Sequence, residues 1–597
     1  MMGKLIITNF TEWNSELRKC FTEAGLEEAV RYDSNAFYLT LYKKINIKHS
    51  NYYQDGENAI YSAGTFFYKG LFGENALIEI IKDSEKLDVK GIRKNLIGSY
   101  VIAIKNNNIL KIFIDETHTY AFYYYIDSIH YILTNTYHHI EKCVREKVNK
   151  WAFFERGTCS GNINLCTPYN NILKLSAREY ISIDLKTNIW KILKCELNNY
   201  HVEYSSFEDV ISTIIGRVEE VLSLRNKYMH NYLHFMTGGL DSRLELAFNL
   251  HKKNSTILGY WRGKDVITNG TEIDQKIGEN IAKDKGLSYI LYNVSESFED
   301  AVKNASVISN KYGEYASLYA GNSKWFQIFE KLENIEYVGF GYFGETLRSL
   351  SELDTHFRAP YSMKKMIDDL YCRSGIKELI KSKEEFVRFI EKEYEYLLSN
   401  INKSKLSKDD AYKLFNYLRF DSNNLINNLV NSFTYSFPVL ATKKVADAIF
   451  DIPYEYRKGD KITLELIKYY HNDLLNYPFY SHHHLLKYNS KKNIVDSTFQ
   501  SKILAKIKKI IYKTMIYDKL YLGYLQKIVR PESVENQKIF QKCMQIFNES
   551  YVLYEAEIVF EDIHNWKGID MGALTTFASQ VSVADTINQK RNYKNVR

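Results

Sequence analysis

Twelve residues, Tyr232-Leu-His-Phe-Met-Thr-Gly-Gly-Leu-Asp-Ser-Arg243, constrain this chain more than any others. The apolar run Tyr232–Met236 reads as a buried parallel strand. Leu244, Leu246, Ala247, Phe248 and Leu250 then recur at helical spacing. Between strand and helix lie Thr237, Gly238, Gly239, Leu240, Asp241 and Ser242. Two adjacent glycines let backbone N–H groups converge, since no Cβ blocks the approach. The following helix aims its partially positive N-terminus at the same point, and Thr237 and Ser242 add hydroxyl donors. The product is an oxyanion cradle suited to phosphate or pyrophosphate. Asp241 would repel such a ligand directly, and it makes sense if it holds a Mg²⁺ ion bridging to the phosphates. The plainer alternative is a strand–helix turn with a capping Asp or Ser.

The flanking sequence alternates strand and helix. Ser255–Trp261 reads as a strand, Glu272–Lys285 as a helix closed by Gly286, Leu287–Tyr292 as a strand and Ile335–Gly341 as a fourth. Such alternation implies a doubly wound parallel sheet, which binds ligands beyond the carboxyl ends of its strands at the switch in strand order. Thr237–Ser242, Leu258, Gly259 and Gly339–Glu345 are the candidates for those ends. In the second glycine turn, Gly339-Phe-Gly-Tyr-Phe-Gly-Glu345, backbone at Gly339, Phe340 and Gly341 can lie against a nucleotide. Glu345 offers a second carboxylate to the metal held by Asp241; alone, it reads as a glycine turn with a Glu at a helix start.

Residues 1 to about 195 read as β-rich, with strands at Leu5–Ile7, Phe37–Tyr42, Ala63–Tyr68, Ser99–Ile104, Leu110–Ile114 and His130–Leu133 and a helix at Glu74–Lys82. Residues 346–590 read as helical, ending in a basic, disordered tail after Gln589. Over 597 residues the net charge of +7 is mild and forms no basic stripe, which disfavours nucleic acid. Seven scattered cysteines without a C-x-x-C pair, no apolar run of about 18 residues and no signal peptide point to a cytoplasmic protein with reduced thiols.

Thr237-Gly-Gly-Leu-Asp-Ser242 resembles the pyrophosphate loop of the ATP-pyrophosphatase superfamily. Within it, the chain resembles the asparagine synthetase family, which includes β-lactam synthetases and lasso-peptide cyclases, over roughly residues 60 to 480. Gly98–Ile104, Phe113–Asp115, Tyr123–Tyr125 and Ile132–Asn135 follow the order of that family's glutaminase domain, and 151–200 resembles its connector, with Phe154–Gly157 among strands folded onto the first domain. The resemblance implies an α+β, Ntn-type glutaminase-like domain of layered sheets (1–200). An α/β doubly wound ATP-pyrophosphatase domain with a helical C-terminal part from about 346 follows (201–597). The chain departs from the family in four places, one of them Glu345, which takes the place of the metal-binding Asp only with a short insertion. Met2 and Gly3 stand where the glutaminase has its N-terminal Cys, so the nucleophile for glutamine hydrolysis is missing. Phe340 stands where a catalytic Glu or Tyr is expected. Ser436 replaces the Arg of the amidotransferring members.

The implied activity is an ATP-dependent, AMP-forming ligase. It adenylates a carboxylate with release of pyrophosphate, and an amine or ammonia then attacks without glutamine hydrolysis. ATP and Mg²⁺ are the implied cofactors. Tyr342 is the candidate for proton transfer. Lys487, with Lys491 and Lys492 nearby, is the candidate for stabilising charge on phosphate. The substrates would be small-molecule or peptide carboxylates and amines, without a membrane partner, and a homodimer is left open. Two other readings stand beside this one: an inactive nucleotide-binding scaffold or regulator of the same fold, and a nucleic-acid-modifying relative that adenylates a base.

Overall fold

The computed structural model describes residues 2–34, 37–47, 50–159, 161–162, 165–251, 255–262, 272–294, 297–313, 323–350, 353–354, 361–367, 371, 380–397, 405–481, 484–489, 493–496, 534–560 and 571–595. The architecture is mixed: a large antiparallel sheet, a parallel sheet and packed helices.

The first twelve strands are β1 (Met2–Thr8), β2 (Glu28–Ser34), β3 (Phe37–Lys43), β4 (Tyr52–Asp55), β5 (Asn58–Tyr68), β6 (Leu96–Asn106), β7 (Ile109–Ile114), β8 (Tyr123–Ile126), β9 (Tyr131–Thr134), β10 (Ile172–Lys174), β11 (Glu179–Asp184) and β12 (Ile189–Lys194). They form one sheet in the order β10-β8-β9-β1-β5-β6-β7-β11-β12, with β3 and β2 added beside β1 and β4 beside β5. All pairings are antiparallel except the contact of Met2 with Ala63. The hairpin between β6 and β7 turns at Asn107, whose φ of 51° is tolerated by Asn better than by most residues. β5 and β6 are buried over nearly their whole length, so they carry apolar residues on both faces.

The segment Phe154–Gly157, expected as strand, lies in the helix Lys150–Cys159. Its Phe153 and Phe154 rings pack on Phe577 at 6.0 and 5.3 Å. Phe577 belongs to the helix Met571–Asn595, which continues past Gln589 as far as Asn595, where a disordered tail was expected. The Phe pair anchors a long-range helix contact, and that contact outweighs local strand propensity.

The second sheet consists of β13 (Asn231–Phe235), β14 (Ser255–Arg262), β15 (Ser288–Asn293) and β16 (Tyr337–Gly339), all parallel, in the order β15-β14-β13-β16. The chain moves outward from β13 to β15 and then returns to the other side of β13. The switch in strand order therefore falls between β13 and β16. One hydrophobic core joins this sheet to the first: Phe67 and Tyr100 share it with Val218, Tyr232, Leu244 and Leu466. The part expected to be wholly helical also contains a three-stranded antiparallel sheet, β17 (Phe479–Ser481), β18 (His484–Asn489) and β19 (Asn493–Asp496). Among the described residues, no helix is long and apolar enough to cross a membrane.

Where the two large sheets meet, the helix Lys408–Val430 and the residues after it insert asparagines between them. Thr65 Oγ1 donates to Asn431 Oδ1 at 2.6 Å, Asn427 Nδ2 to Thr119 O at 2.7 Å and Asn428 Nδ2 to Ala121 O at 3.0 Å. Lys44, fully buried, donates to Asn431 O, Asn431 Oδ1 and Thr434 O at 2.5, 2.9 and 3.0 Å. Ser436 Oγ donates to Val338 O at 3.1 Å, so this residue is part of the junction.

Candidate anion site at the strand switch

The loop after β13 folds on itself. Ser242 Oγ accepts from Thr237 N at 3.1 Å and lies 2.9 Å from Thr237 Oγ1, while Gly239 N donates to Thr237 Oγ1 at 3.3 Å. The two hydroxyls brace the turn across its mouth. Gly239 caps the helix Leu240–Leu250 in extended conformation, so the first helical amides point back into the turn. Leu240 is buried beneath it.

The second glycine turn lies directly against the first. A Cβ on Gly341 would stand 2.3 Å from Ser242 N, and one on Gly344 would stand 2.6 Å from Asp241 Cβ. No larger residue permits that approach. Thr237–Ser242 and Gly339–Glu345 are thus brought together at the switch point between β13 and β16.

Two charged contacts define the site. Gly238 N donates to Asp274 Oδ1 at 2.6 Å; Asp274 lies in the first turn of the helix Glu272–Lys285. Asp241 Oδ2 accepts from Arg348 Nη2 at 2.6 Å. Burial works against charge on Arg348, but the carboxylates of Asp241, Asp460 and Glu345 outweigh it and raise its pKa above the ordinary arginine value. The site therefore presents an amide that already holds an oxyanion and a carboxylate that already holds a cation.

Beneath the turns is a buried polar layer. His234, the polar residue inside the apolar β13, donates Nε2–H to Ser242 O at 2.7 Å, and burial lowers its pKa to about 4, so it is neutral. Arg225 is fully buried, lies 5.2 and 5.0 Å from the Tyr232 and Tyr337 ring centres, and donates to Glu245 Oε1 at 2.7 Å. Burial pushes Glu245 up to about 7 against the pull of Arg225. Arg243 ties the loop to the segment before β17, donating to Tyr477 O at 2.9 Å and Pro478 O at 2.7 Å.

Several expected site residues play other parts. Leu258 is fully buried, and the Gly259 α-carbon is walled in by Leu233, Phe235 and Tyr292, each 3.2 Å from where a Cβ would stand. Both are interior positions of β14, whose carboxyl end lies further on at Arg262. Phe340 is 8% exposed and sits between Phe235 at 5.2 Å and Tyr342 at 4.7 Å in a stacked pile, so its ring is core rather than a nucleotide contact. Tyr342 closes that pile and is half-buried. Lys487 is not in a loop: it pairs with Val495 in the β18–β19 hairpin. Lys491 and Lys492 lie outside the described residues.

The expected Mg²⁺ carboxylate Asp241 already has a cationic neighbour. Asp241 is bonded to Arg348, and no group of three His, Cys, Asp or Glu side chains able to hold a metal exists among the described residues. Asp241 would have to leave the Arg348 guanidinium to reach a divalent cation, so that arginine competes with a metal for the carboxylate. A phosphate oxygen does fit at Gly238, where a carboxylate oxygen now sits.

Two residues of the site, Asp274 and Arg348, were not picked out in the sequence. Asp274 carries only the signal of an acid in a helix's first turn. Arg348 follows Glu345 by three positions, a cation beside a carboxylate that is common on surfaces.

No family model and no curated protein matches the chain. Among solved structures it is similar to glutamine phosphoribosylpyrophosphate amidotransferase from B. subtilis, complexed with ADP and GMP, at 9% identity and a TM-score of 0.22. That match covers 48% of this chain and 65% of that one. It is also similar to glutamine-dependent NAD+ synthetase from Acinetobacter baumannii in complex with ADP, at 13% identity and a TM-score of 0.15 over 28% and 31% of the two chains. NMN synthetase from Francisella tularensis matches at 10% identity and a TM-score of 0.16 over 45% and 94%.

Proposed function

We propose that the strand-switch site binds the phosphate end of ATP and that the chain is an ATP-dependent ligase forming an amide bond. The observation that carries this reading is the Gly238 amide, which holds a carboxylate oxygen at 2.6 Å under two abutting glycine turns at the switch point. A carboxylate oxygen on a backbone amide at a helix start is chemically close to a phosphate oxygen there. In this reading a substrate carboxylate attacks the α-phosphorus and pyrophosphate leaves. An amine or ammonia then attacks the acyl carbon, AMP leaves, and the amine gives up a proton. Thr237, Gly238, Gly239 and Ser242 bind phosphate, and Gly339 and Gly341 bring the second turn close enough to close the site. Substrates in this reading are small-molecule or peptide carboxylates and amines. The test is carboxylate-dependent exchange of labelled pyrophosphate into ATP across a broad panel of acids. Exchange that saturates with one acid class supports the ligase. ATP binding without exchange for any acid removes the chemistry from the proposal.

One observation favours a second reading, a nucleotide-binding scaffold or regulator. Phe340 stands where the asparagine synthetase resemblance calls for a catalytic Glu or Tyr, and its ring is locked into the aromatic pile. Retention of biological activity by D241A would favour that reading.

A further inference from the structure

Both charged positions of the strand-switch site are filled by the protein's own side chains. Asp274 reaches Gly238 N from the helix Glu272–Lys285, and Arg348 reaches Asp241 from the segment after the second glycine turn. Each is the charge complement of what it meets, carboxylate on amide and guanidinium on carboxylate. A phosphate oxygen accepts the same hydrogen bond from an amide as a carboxylate oxygen does, and a guanidinium fork donates to carboxylate and phosphate alike. Asp241 is held in place by the turn, because the α-carbon of Gly344 packs against it. Arg348 is half-buried, with 32% of its side chain accessible, and sits on the long arm of the pair.

We propose that Arg348 is the cation this site uses for a polyphosphate, in place of a divalent metal, and that Asp274 is the carboxylate the polyphosphate displaces from Gly238. The inference rests on the nucleotide reading of the site. When the ligand enters, Gly238 N passes from Asp274 Oδ1 to a phosphate oxygen. Arg348 swings from Asp241 to a second phosphate oxygen, and no covalent bond changes. Two consequences follow. Binding does not require Mg²⁺, and Asp274 acts as an internal competitor that weakens the site for every ligand. Only a polyanion can drive both exchanges, so a nucleoside without phosphates is rejected.

The experiment is isothermal titration of the full chain with ATP and with inorganic pyrophosphate, each in Mg²⁺ and in excess EDTA. The wild type is compared with D274N, D274S, R348Q and R348K, and near-UV circular dichroism confirms that each variant is folded. EDTA is expected to leave wild-type affinity within about threefold. D274N and D274S bind roughly tenfold tighter, the scale of one charge-assisted hydrogen bond removed from the competing side. R348Q binds at least about tenfold weaker, and R348K falls between, because an ammonium is a point charge without the fork. Binding by the wild type that disappears in EDTA returns the cation role to a metal and overturns the assignment of Arg348. Binding by folded D274N and D274S no tighter than wild type overturns the assignment of Asp274. In both cases the nucleotide reading stands. If no folded variant binds ATP or pyrophosphate in either buffer, the nucleotide reading itself falls, and this inference with it.

Discussion

Substituting alanine for Gly341 tests the closeness of the two glycine turns, on which the site depends. The added methyl would stand 2.3 Å from Ser242 N and 2.5 Å from Asp241 C, about 1 Å inside ordinary van der Waals contact. Both atoms are backbone in the first turn of the helix Leu240–Leu250, so no side-chain rotation relieves the clash. One turn must move by about 1 Å, at a cost of about 1–3 kcal/mol as in other overpacked interiors. Gly344→Ala also clashes: its methyl would meet Asp241 Cβ at 2.6 Å and Oδ1 at 2.8 Å, and rotating the Asp241 side chain relieves only the second contact, since Cβ is fixed to the backbone. It is expected to cost stability on the same scale and, in addition, to break the Asp241–Arg348 pair. Gly239→Ala is the control: its methyl meets only Thr237 Oγ1, at 3.4 Å, and its φ of −76° suits any residue. It should change stability by less than about 0.5 kcal/mol. Urea denaturation ranks the three, and binding of a fluorescent ATP analogue reports the site. A shift of about 1 Å in Gly341→Ala should lower binding or turnover by up to ~10²-fold. Equal stability in Gly341→Ala and Gly239→Ala would refute the abutment of the turns.

Two further predictions concern the buried layer and the junction of the sheets. Glu245→Ala leaves Arg225 charged, fully buried and without its 2.7 Å acceptor, and should destabilise by about 3–5 kcal/mol; the double change Arg225→Met with Glu245→Leu should cost less than the single, by urea denaturation. Burial lowers the pKa of Lys44 well below 10.5, so between that lowered value and 10.5 the unfolded chain holds one more proton than the folded chain. Stability therefore rises with pH through that window. In denaturation from about pH 7 to 9.5 the wild type should gain on Lys44→Met as pH increases, and parallel curves would contradict the lowering of the Lys44 pKa by burial.

Local order decided what the sequence could show. The apolar run Tyr232–Met236, the glycines at 238 and 239 and the helical spacing from Leu244 set the strand–turn–helix unit, because period and glycine geometry act over a few residues. The parallel sheet followed from strand–helix alternation for the same reason. The joining of Gly341 to Ser242 was not local, yet both turns were legible because only glycine permits that contact.

Chain folding over long separations decided the rest. Asp274 and Arg348 carry ordinary surface signals, and become site residues only because the helix Glu272–Lys285 and the second turn converge on one loop. Phe340, just past β16, and Gly259, inside β14, read as ligand-facing, but the aromatic pile and the neighbouring strands cover them. Phe154 reads as strand and is helical because Phe577, distant in sequence, packs on it. Asn427, Asn428 and Asn431 are polar residues within or just after a helical pattern, and their role at the sheet junction comes from carbonyls and hydroxyls supplied by β5 and the residues after β7. Periodicity records which face of an element is apolar. Which charge meets which amide is set by packing between distant segments, and that pairing has no period for a sequence to carry.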